Sequence, residues 1–209
     1  MMFKKLTQIG LLSMLLGFSA AIMAEPLGYE KLTPAQPTQN PDKIEVIEFF
    51  WYGCPHCYHF EPQLKKWLQN LPENVQFIRE PAIFNSLWEK HAKAYFTAEA
   101  LGIVDKVHAD FFDAIQNKKQ KLDTEEELLK FFTAHSVSEA DFHNAYNSFL
   151  VDTKVRQAKT MAPRYGITGV PAIIINGKYK TNGPLAKSQE NMINVMNQLI
   201  QQESSGQKH

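Results

Sequence analysis

Apolar and polar positions divide the chain into short segments of different period. From Ile44 to Phe50 the residues are β-branched or aromatic apart from Glu45 and Glu48, which predicts a buried strand interrupted by two charges. Trp51-Tyr52-Gly53 then turns the chain. Over 54–70 the period changes. Phe60, Leu64, Trp67 and Leu68 recur at three- and four-residue spacings, predicting an amphipathic helix. Pro62 falls inside that helix and is expected to kink it or break it into two pieces, because proline lacks an N–H and crowds the preceding turn. A second strand is predicted over 75–80. The stretch 85–162 is nearly all helical in pattern, punctuated near Gly102, at 117–123 and at 136–138. Ala172 to Ile175 reads as a short buried strand, Asn176-Gly177 as a hairpin turn and 178–180 as the returning strand. A last amphipathic helix is expected from about Ser188 to about Gln202, followed by a frayed tail over 204–209. This order suggests one α/β unit whose two halves are separated by a helical insertion. The corresponding divisions are 1–24, 25–84, 85–162, 163–203 and 204–209.

The first of these divisions has the character of an export signal. Lys4 and Lys5 precede a stretch from Ile9 to Ile22 that is almost wholly apolar or small. It is short for a spanning helix and lacks polar anchors at its far end, so a cleaved leader is expected. Cleavage after Ala24 follows Ile22-Met23-Ala24, and cleavage after Ala21 follows Ser19-Ala20-Ala21; an uncleaved anchor is the alternative. No later segment is apolar for long enough to cross a bilayer. A soluble, exported domain of roughly 185 residues is expected.

Composition narrows the function. Acidic and basic residues balance at 22 each, with no basic stripe, no run of like charge and no repeat. A nucleic-acid surface or a repeat array is therefore not expected. The chain has 2 cysteines, both in Cys54-Pro55-His56-Cys57. An exported domain stapled by disulfides would scatter several pairs along its length. A loop closed over so few residues restricts the unfolded chain very little. Redox chemistry is the better use of the pair.

That chemistry has local requirements. Only the thiolate attacks a disulfide, so one cysteine must be acidic and reachable. The strand–turn–helix reading places Cys54 at a helix amino terminus, where unpaired N–H groups and the helix dipole favour an anion. Cys57 lies one turn further on, within reach of Cys54. Pro55 suits the first helical position, and His56 can add positive charge or a hydrogen bond beside the thiolate. Cys54 is thus expected to be the exposed nucleophile and Cys57 the more buried, resolving thiol. Half of a zinc site is the competing reading of the motif. Zinc wants four ligands, there is no second cysteine pair, and His56 is poorly placed to converge with its neighbours, so no metal is expected. His91, His108, His135 and His143 show no metal-ligand spacing and read as ordinary surface or core residues.

Glu48-Phe49-Phe50 followed by Cys54-Pro55-His56-Cys57-Tyr58, together with Asn147-Ser148-Phe149 and Gly169-Val170-Pro171-Ala172, resembles the DsbA family of bacterial periplasmic disulfide oxidants. The resemblance spans nearly the whole mature chain. It implies a thioredoxin-like α/β fold with an inserted helical domain, and donation of the Cys54–Cys57 disulfide to newly exported, reduced proteins. It implies reoxidation by a quinone-linked membrane protein similar to DsbB. No cofactor is expected, and the protein is expected to act as a monomer in the periplasm. Glu48, Glu61 and Arg79 match charged positions near the family's active site. Arg79 stands where a lysine would be expected, and an arginine cannot give up its proton, so any charge coupling to the cysteines would differ. For Glu61 and Arg79 simple solvation is the alternative. Glu48 is harder to dismiss, because burying a lone carboxylate is costly. Val170-Pro171 matches the loop that thioredoxin-like families keep beside the redox pair with a cis peptide bond. It leaves the Val170 backbone to pair with an extended client strand.

Two other functions compete. A disulfide isomerase or reductase of the same compartment usually carries an amino-terminal dimerisation domain, for which there is no room before the first strand, and differs at the positions of Pro55-His56 and Val170. A chaperone-like peptide-binding module would have no need of paired cysteines.

Overall fold

A computed structural model describes residues 28–206. The expected leader lies outside the described residues. Strands β1 (Glu30–Lys31), β2 (Ile44–Phe50), β3 (Val75–Pro81), β4 (Ala172–Ile175) and β5 (Tyr179–Asn182) form one sheet in the order β1-β5-β4-β2-β3. The β2 and β3 strands run parallel, and the other pairings are antiparallel. Helix α1 (Pro55–Leu68) connects β2 to β3. Five helices then intervene before β4: α2 (Ser86–Ala100), α3 (Val104–Gln116), α4 (Glu125–Ala134), α5 (Glu139–Tyr146) and α6 (Phe149–Arg164). A short α7 (Gly183–Ala186) and a long α8 (Gln189–Gly206) close the chain.

Every residue of β2 is buried, as befits a central strand between β4 and β3. Side chains alternate across it. Ile44 and Val46 face a core that holds Phe60, Leu64 and Trp67 of α1 and Met192, Met196 and Leu199 of α8. Ile47 and Phe49 face the opposite side, against Ala162, Tyr165 and Ile174. A third core is dominated by aromatic residues of the helical block, among them Phe111, Phe112, Phe132 and Phe142. It runs without interruption to Phe50, Tyr52 and both cysteines. By alternation Glu48 points to the same side as Val46 and Phe50, under α1.

Four points refine these expectations. Of the two outcomes expected at Pro62 the break does not occur, and α1 is a single helix from Pro55 to Leu68. Phe60 and Leu64 on either side of it are fully buried, and this tertiary packing outweighs one missing backbone hydrogen bond. The last helix continues to Gly206, so Ser204 to Gly206 are helical rather than tail. Glu203 explains part of the extension, because its carboxylate accepts from Asn176 Nδ2 and Lys178 Nζ, both at 2.6 Å. Strand β1 and helix α7 had no signature in the sequence, being two and four residues long. The helical block is also cut at Ser148, whose hydroxyl caps α6 by accepting from the Val151 amide at 3.2 Å.

Because α1 carries the cysteine motif at its start and is held to the sheet by its buried stripe, Leu64→Ala should destabilise the protein by about 2–5 kcal/mol. Chemical denaturation would read this directly, and a loss well under that range would mean that α1 is held by something other than its sheet-facing core.

Candidate active site

The turn between β2 and α1 is built around Gly53. A side chain there would overlap the Trp51 indole, with a Cβ only 2.2 Å from Trp51 Cζ2. The indole lies over this glycine, stacks on Trp88 with ring centres 4.2 Å apart, and donates from Nε1 to His91 Nδ1 at 3.0 Å. His91 Nε2 in turn lies 3.2 Å from the Lys121 carbonyl. With Nδ1 accepting, the ring is neutral and Nε2 is the donor. The Cys54 amide donates to the Trp51 carbonyl at 2.9 Å, which closes the turn.

Cys54 is the N-cap of α1, and its sulfur accepts from the Cys57 amide at 3.3 Å. Pro55 follows in the first turn, where its missing N–H is not needed. Both cysteines are free thiols. They differ in environment in the expected sense, but Cys54 is less open than expected. It is 7% exposed and Cys57 is 0% exposed. The Cys54 pKa is lowered to about 6. The main cause is a hydrogen bond from the Cys57 thiol to the Cys54 sulfur; burial opposes it, and the amides of Cys57 and His56 and then the His56 charge add to it. Burial pushes Cys57 well above the ordinary thiol range, with the hydrogen bond to Cys54 and the charges of Cys54 and Glu48 acting the same way.

The Val170–Pro171 peptide bond is cis, and the loop lies against the cysteines: the Cys54 thiol donates to the Val170 carbonyl at 3.3 Å. In the dithiol form that carbonyl is therefore engaged rather than free, and loss of the thiol proton releases it. Pro171 is buried and Val170 partly so. Beyond them a groove of about 620 Å³ is lined by His56, His59, Val170, Pro171, Gln189 and Met192, among others. His56 is exposed where it lines this groove, and Pro55 beside it is exposed as well. Gln189 Nε2 donates to the His56 carbonyl at 2.7 Å, which ties the motif to the start of α8.

Beneath the cysteines the structure gathers the three predicted charges. Register pairs Glu48 on β2 with Arg79 on β3. Arg79 Nη2 donates to Glu61 Oε2 at 3.1 Å, and Arg79 Nε lies 3.3 Å from Glu48 Oε2. Neither Glu61 nor Arg79 is merely solvated. The Glu48 contact is an attraction between charges without hydrogen-bond geometry, since neither Glu48 oxygen nor Arg79 Nε has a hydrogen-bond partner among the described residues. Burial, followed by the Glu61 charge, pushes the Glu48 pKa up to about 8 against the pull of Arg79. Burial also tends to raise Glu61, but His108 and Arg79 outweigh it and hold the carboxyl below its ordinary value.

Two members of this cluster, His108 and Tyr52, were not foreseen. His108 of α3 lies with Nε2 3.1 Å from Glu61 Oε1 and Nδ1 2.9 Å from the Tyr52 hydroxyl. It is a buried member of the charge network, not an ordinary core histidine. Burial lowers its pKa, with Glu61 opposing and Arg79 assisting. Sequence spacing carries no sign of it, because 47 residues separate His108 from Glu61. Among the described residues no three His, Cys, Asp or Glu side chains converge to hold a metal ion.

Comparison with known proteins agrees with this geometry. Residues 74–196 match the model of the DSBA-like thioredoxin domain. The thiol:disulfide interchange protein DsbA of Azotobacter vinelandii is 45% identical over 179 residues, covering 86% of this chain and 84% of that protein. Its counterpart from Pseudomonas aeruginosa is 39% identical over 180 residues, 86% of this chain and 85% of the relative. The crystal structure of Pseudomonas aeruginosa DsbA superposes with a TM-score of 0.84 at 38% identity, covering 87% of this chain and 95% of that one. A thioredoxin-like fold with an inserted helical domain, a Cys-X-X-Cys pair at the head of α1 and this similarity together make the chain a member of the DsbA family of thiol:disulfide interchange proteins.

Proposed function

We propose that the protein is a periplasmic dithiol oxidase that donates its Cys54–Cys57 disulfide to exported proteins as they fold. The observation that carries this reading is the contrast between the two sulfurs. Cys54 caps α1 with its pKa lowered to about 6, while Cys57 is fully buried with its pKa raised. A client thiolate attacks the Cys54 sulfur of the disulfide, forming a mixed disulfide and expelling Cys57 as a thiolate that must take up a proton. A second client thiolate then attacks the client sulfur of the mixed disulfide, and Cys54 leaves as the stabilised anion. The client gains a disulfide, and the enzyme is left as the dithiol. Since stabilising the Cys54 thiolate stabilises the reduced enzyme, it makes the disulfide a stronger oxidant.

The other residues have supporting roles in this reading. Pro55 and His56 tune the Cys54 thiolate. Val170 offers its backbone to an extended client once the Cys54 proton is gone, with Pro171 shaping that loop. Glu48, Glu61 and Arg79 govern the charge beneath the pair, and protonated Glu48 can return the proton that Cys57 needs. The domain reading has a leader over 1–24, redox-unit segments over 25–84 and 163–203, and a helical insertion over 85–162. It is supported by β2, β3, β4 and β5 meeting in one sheet across the intervening helices. Among the described residues no helix is long and apolar enough to cross a membrane. A DsbB-like membrane oxidase reoxidises the monomer. A reduction potential measured against glutathione tests the assignment. A strongly oxidising value supports it, and a value near that of cytosolic reductants overturns it in favour of a reductase.

The asymmetry of the thiols gives a direct expectation. Cys57→Ser should trap mixed disulfides through Cys54, Cys54→Ser should be inert, and Cys54 should be alkylated far faster than Cys57 at mildly acidic pH. Equal rates would refute the division of roles.

The potential should also bend with pH. Below about pH 6, where Cys54 is protonated in the reduced enzyme, reduction takes up two protons, and the potential falls by about 60 mV per pH unit. Above it only Cys57 is protonated, and the slope halves to about 30 mV. Replacing His56 by leucine should raise the Cys54 pKa, move this bend to higher pH and make the enzyme less oxidising. The thiolate ultraviolet absorbance reports the same shift, and an unmoved titration would reduce His56 to a space-filling role.

A further inference from the structure

The arrangement of hydrogen bonds beneath the cysteines is lopsided. Glu48 is fully buried, yet neither of its oxygens receives a hydrogen bond among the described residues. The one guanidinium that could supply it, Arg79, has turned its Nη2 to Glu61 and holds only Nε near Glu48, out of hydrogen-bond geometry. The reason lies on the far side of Glu61. Its carboxylate can only accept, so His108 Nε2 at 3.1 Å must carry the proton. The neutral ring then accepts at Nδ1 from the Tyr52 hydroxyl at 2.9 Å. Tyr52 and His108 are both buried, packed with Phe50, Phe111 and Phe112. Glu61 is thereby clamped between an imidazole that cannot move and the guanidinium of Arg79. Without the imidazole, Glu61, whose side chain is 17% exposed, could swing outward and release Arg79.

We propose that His108 is a positioning residue for the dithiol chemistry: by fastening Glu61 to Arg79 it keeps the guanidinium turned away from Glu48, leaving that buried carboxyl able to carry a proton beside the cysteines. The proposal rests on the reading of Cys54 and Cys57 given above. When Cys57 is expelled as a thiolate, the Glu48 carboxyl gives it a proton and becomes a carboxylate, which solvent later reprotonates. A guanidinium fully turned to Glu48 would hold it as the carboxylate and remove that proton source. The charged and titratable groups that bear on Glu48 come from every side: Arg79 on β3, Cys54, Cys57 and Glu61 at α1, Tyr52 in the turn and Tyr95 on α2. His108 acts on it only through Glu61 and Arg79.

The test is a carboxyl carbon NMR titration of the reduced, full-length mature protein labelled at glutamate, with Glu48→Gln used to assign the signal. His108→Leu removes the clamp without changing a charge at neutral pH. In it Glu48 should titrate at least half a pH unit lower than in the wild type, a roughly threefold loss of proton affinity. His108→Gln, which keeps a donor and an acceptor, should recover most of the difference. Tyr52→Phe, which removes only the hydroxyl that steadies the ring, should give a smaller shift in the same direction. It decides the matter if His108→Leu does not fold. An unmoved or raised Glu48 titration in His108→Leu, or in Tyr52→Phe where His108→Leu does not fold, overturns the proposal. The titration does not depend on client turnover, so an exchange assay run in parallel separates failure of the clamp from failure of the oxidase reading.

Discussion

The Cys57 amide donates to the Cys54 sulfur at 3.3 Å because Cys54 occupies the N-cap of α1, and the character of the site follows from that bond. An N-cap side chain faces backbone donors that have no helical partner of their own. In most helices a hydroxyl or carboxamide takes them; here a sulfur does, and its anion gains what a hydroxyl would have gained. The motif also places the second sulfur one turn later, where it donates to the first when the first is ionised. The same interaction therefore lowers one thiol and raises the other. His56, for all its prominence in the motif, contributes less to Cys54 than these neighbours do. Removing its charge weakens the asymmetry; removing the cap would weaken it further, leaving burial to keep Cys57 high.

A second constraint comes from the sheet. Alternation along β2 puts Glu48 on the α1 side, in register with Arg79 on the parallel neighbour β3 and with Ile173 on β4. Among the described residues the cation in contact with this carboxylate is Arg79, and it is shared with Glu61. Burial of an incompletely paired carboxylate is costly, and the cost is expressed as an affinity for protons. Arginine sharpens this effect. A lysine at position 79 could lose its own proton and answer the loss of charge on Glu48, whereas the guanidinium remains charged throughout. In the proposed chemistry, proton exchange beneath the cysteines then rests on the Glu48 carboxyl rather than on residue 79.

The sequence made the sheet strands, the α1 helix and the redox pair legible because each rests on local pattern: a run of β-branched residues, a three-to-four spacing, a four-residue motif. It left open whether Pro62 breaks α1, since periodicity records the backbone rule that proline offends but not the packing of Phe60 and Leu64 that keeps the helix whole. It missed β1, whose two residues form a strand only because Tyr179 and Lys180 lie beside them. Glu48, Glu61 and Arg79 were suspected through likeness to a family, but whether they touched could not be read from their spacing. His108 and His91 were set aside as ordinary because a histidine's role depends on what its two nitrogens meet. Those partners lie on Tyr52, Glu61, Trp51 and the Lys121 carbonyl, all distant in sequence.

These histidines also give the helical insertion a place in the chemistry. His91 on α2 holds the Trp51 indole that covers Gly53, and His108 on α3 holds the Glu61 carboxylate beneath the cysteines. Each is neutral and satisfied at both nitrogens, so each fixes a neighbour without adding charge to the site. The aromatic core that buries them is continuous with the one that buries Cys57. The inserted helices share the core that excludes water from the pair, and exclusion of water is the first cause that raises Cys57 and Glu48 together. The strand–helix unit supplies the cap that makes Cys54 acidic. The insertion supplies the dry surroundings that keep its partner from becoming so, and the difference between the two sulfurs needs both.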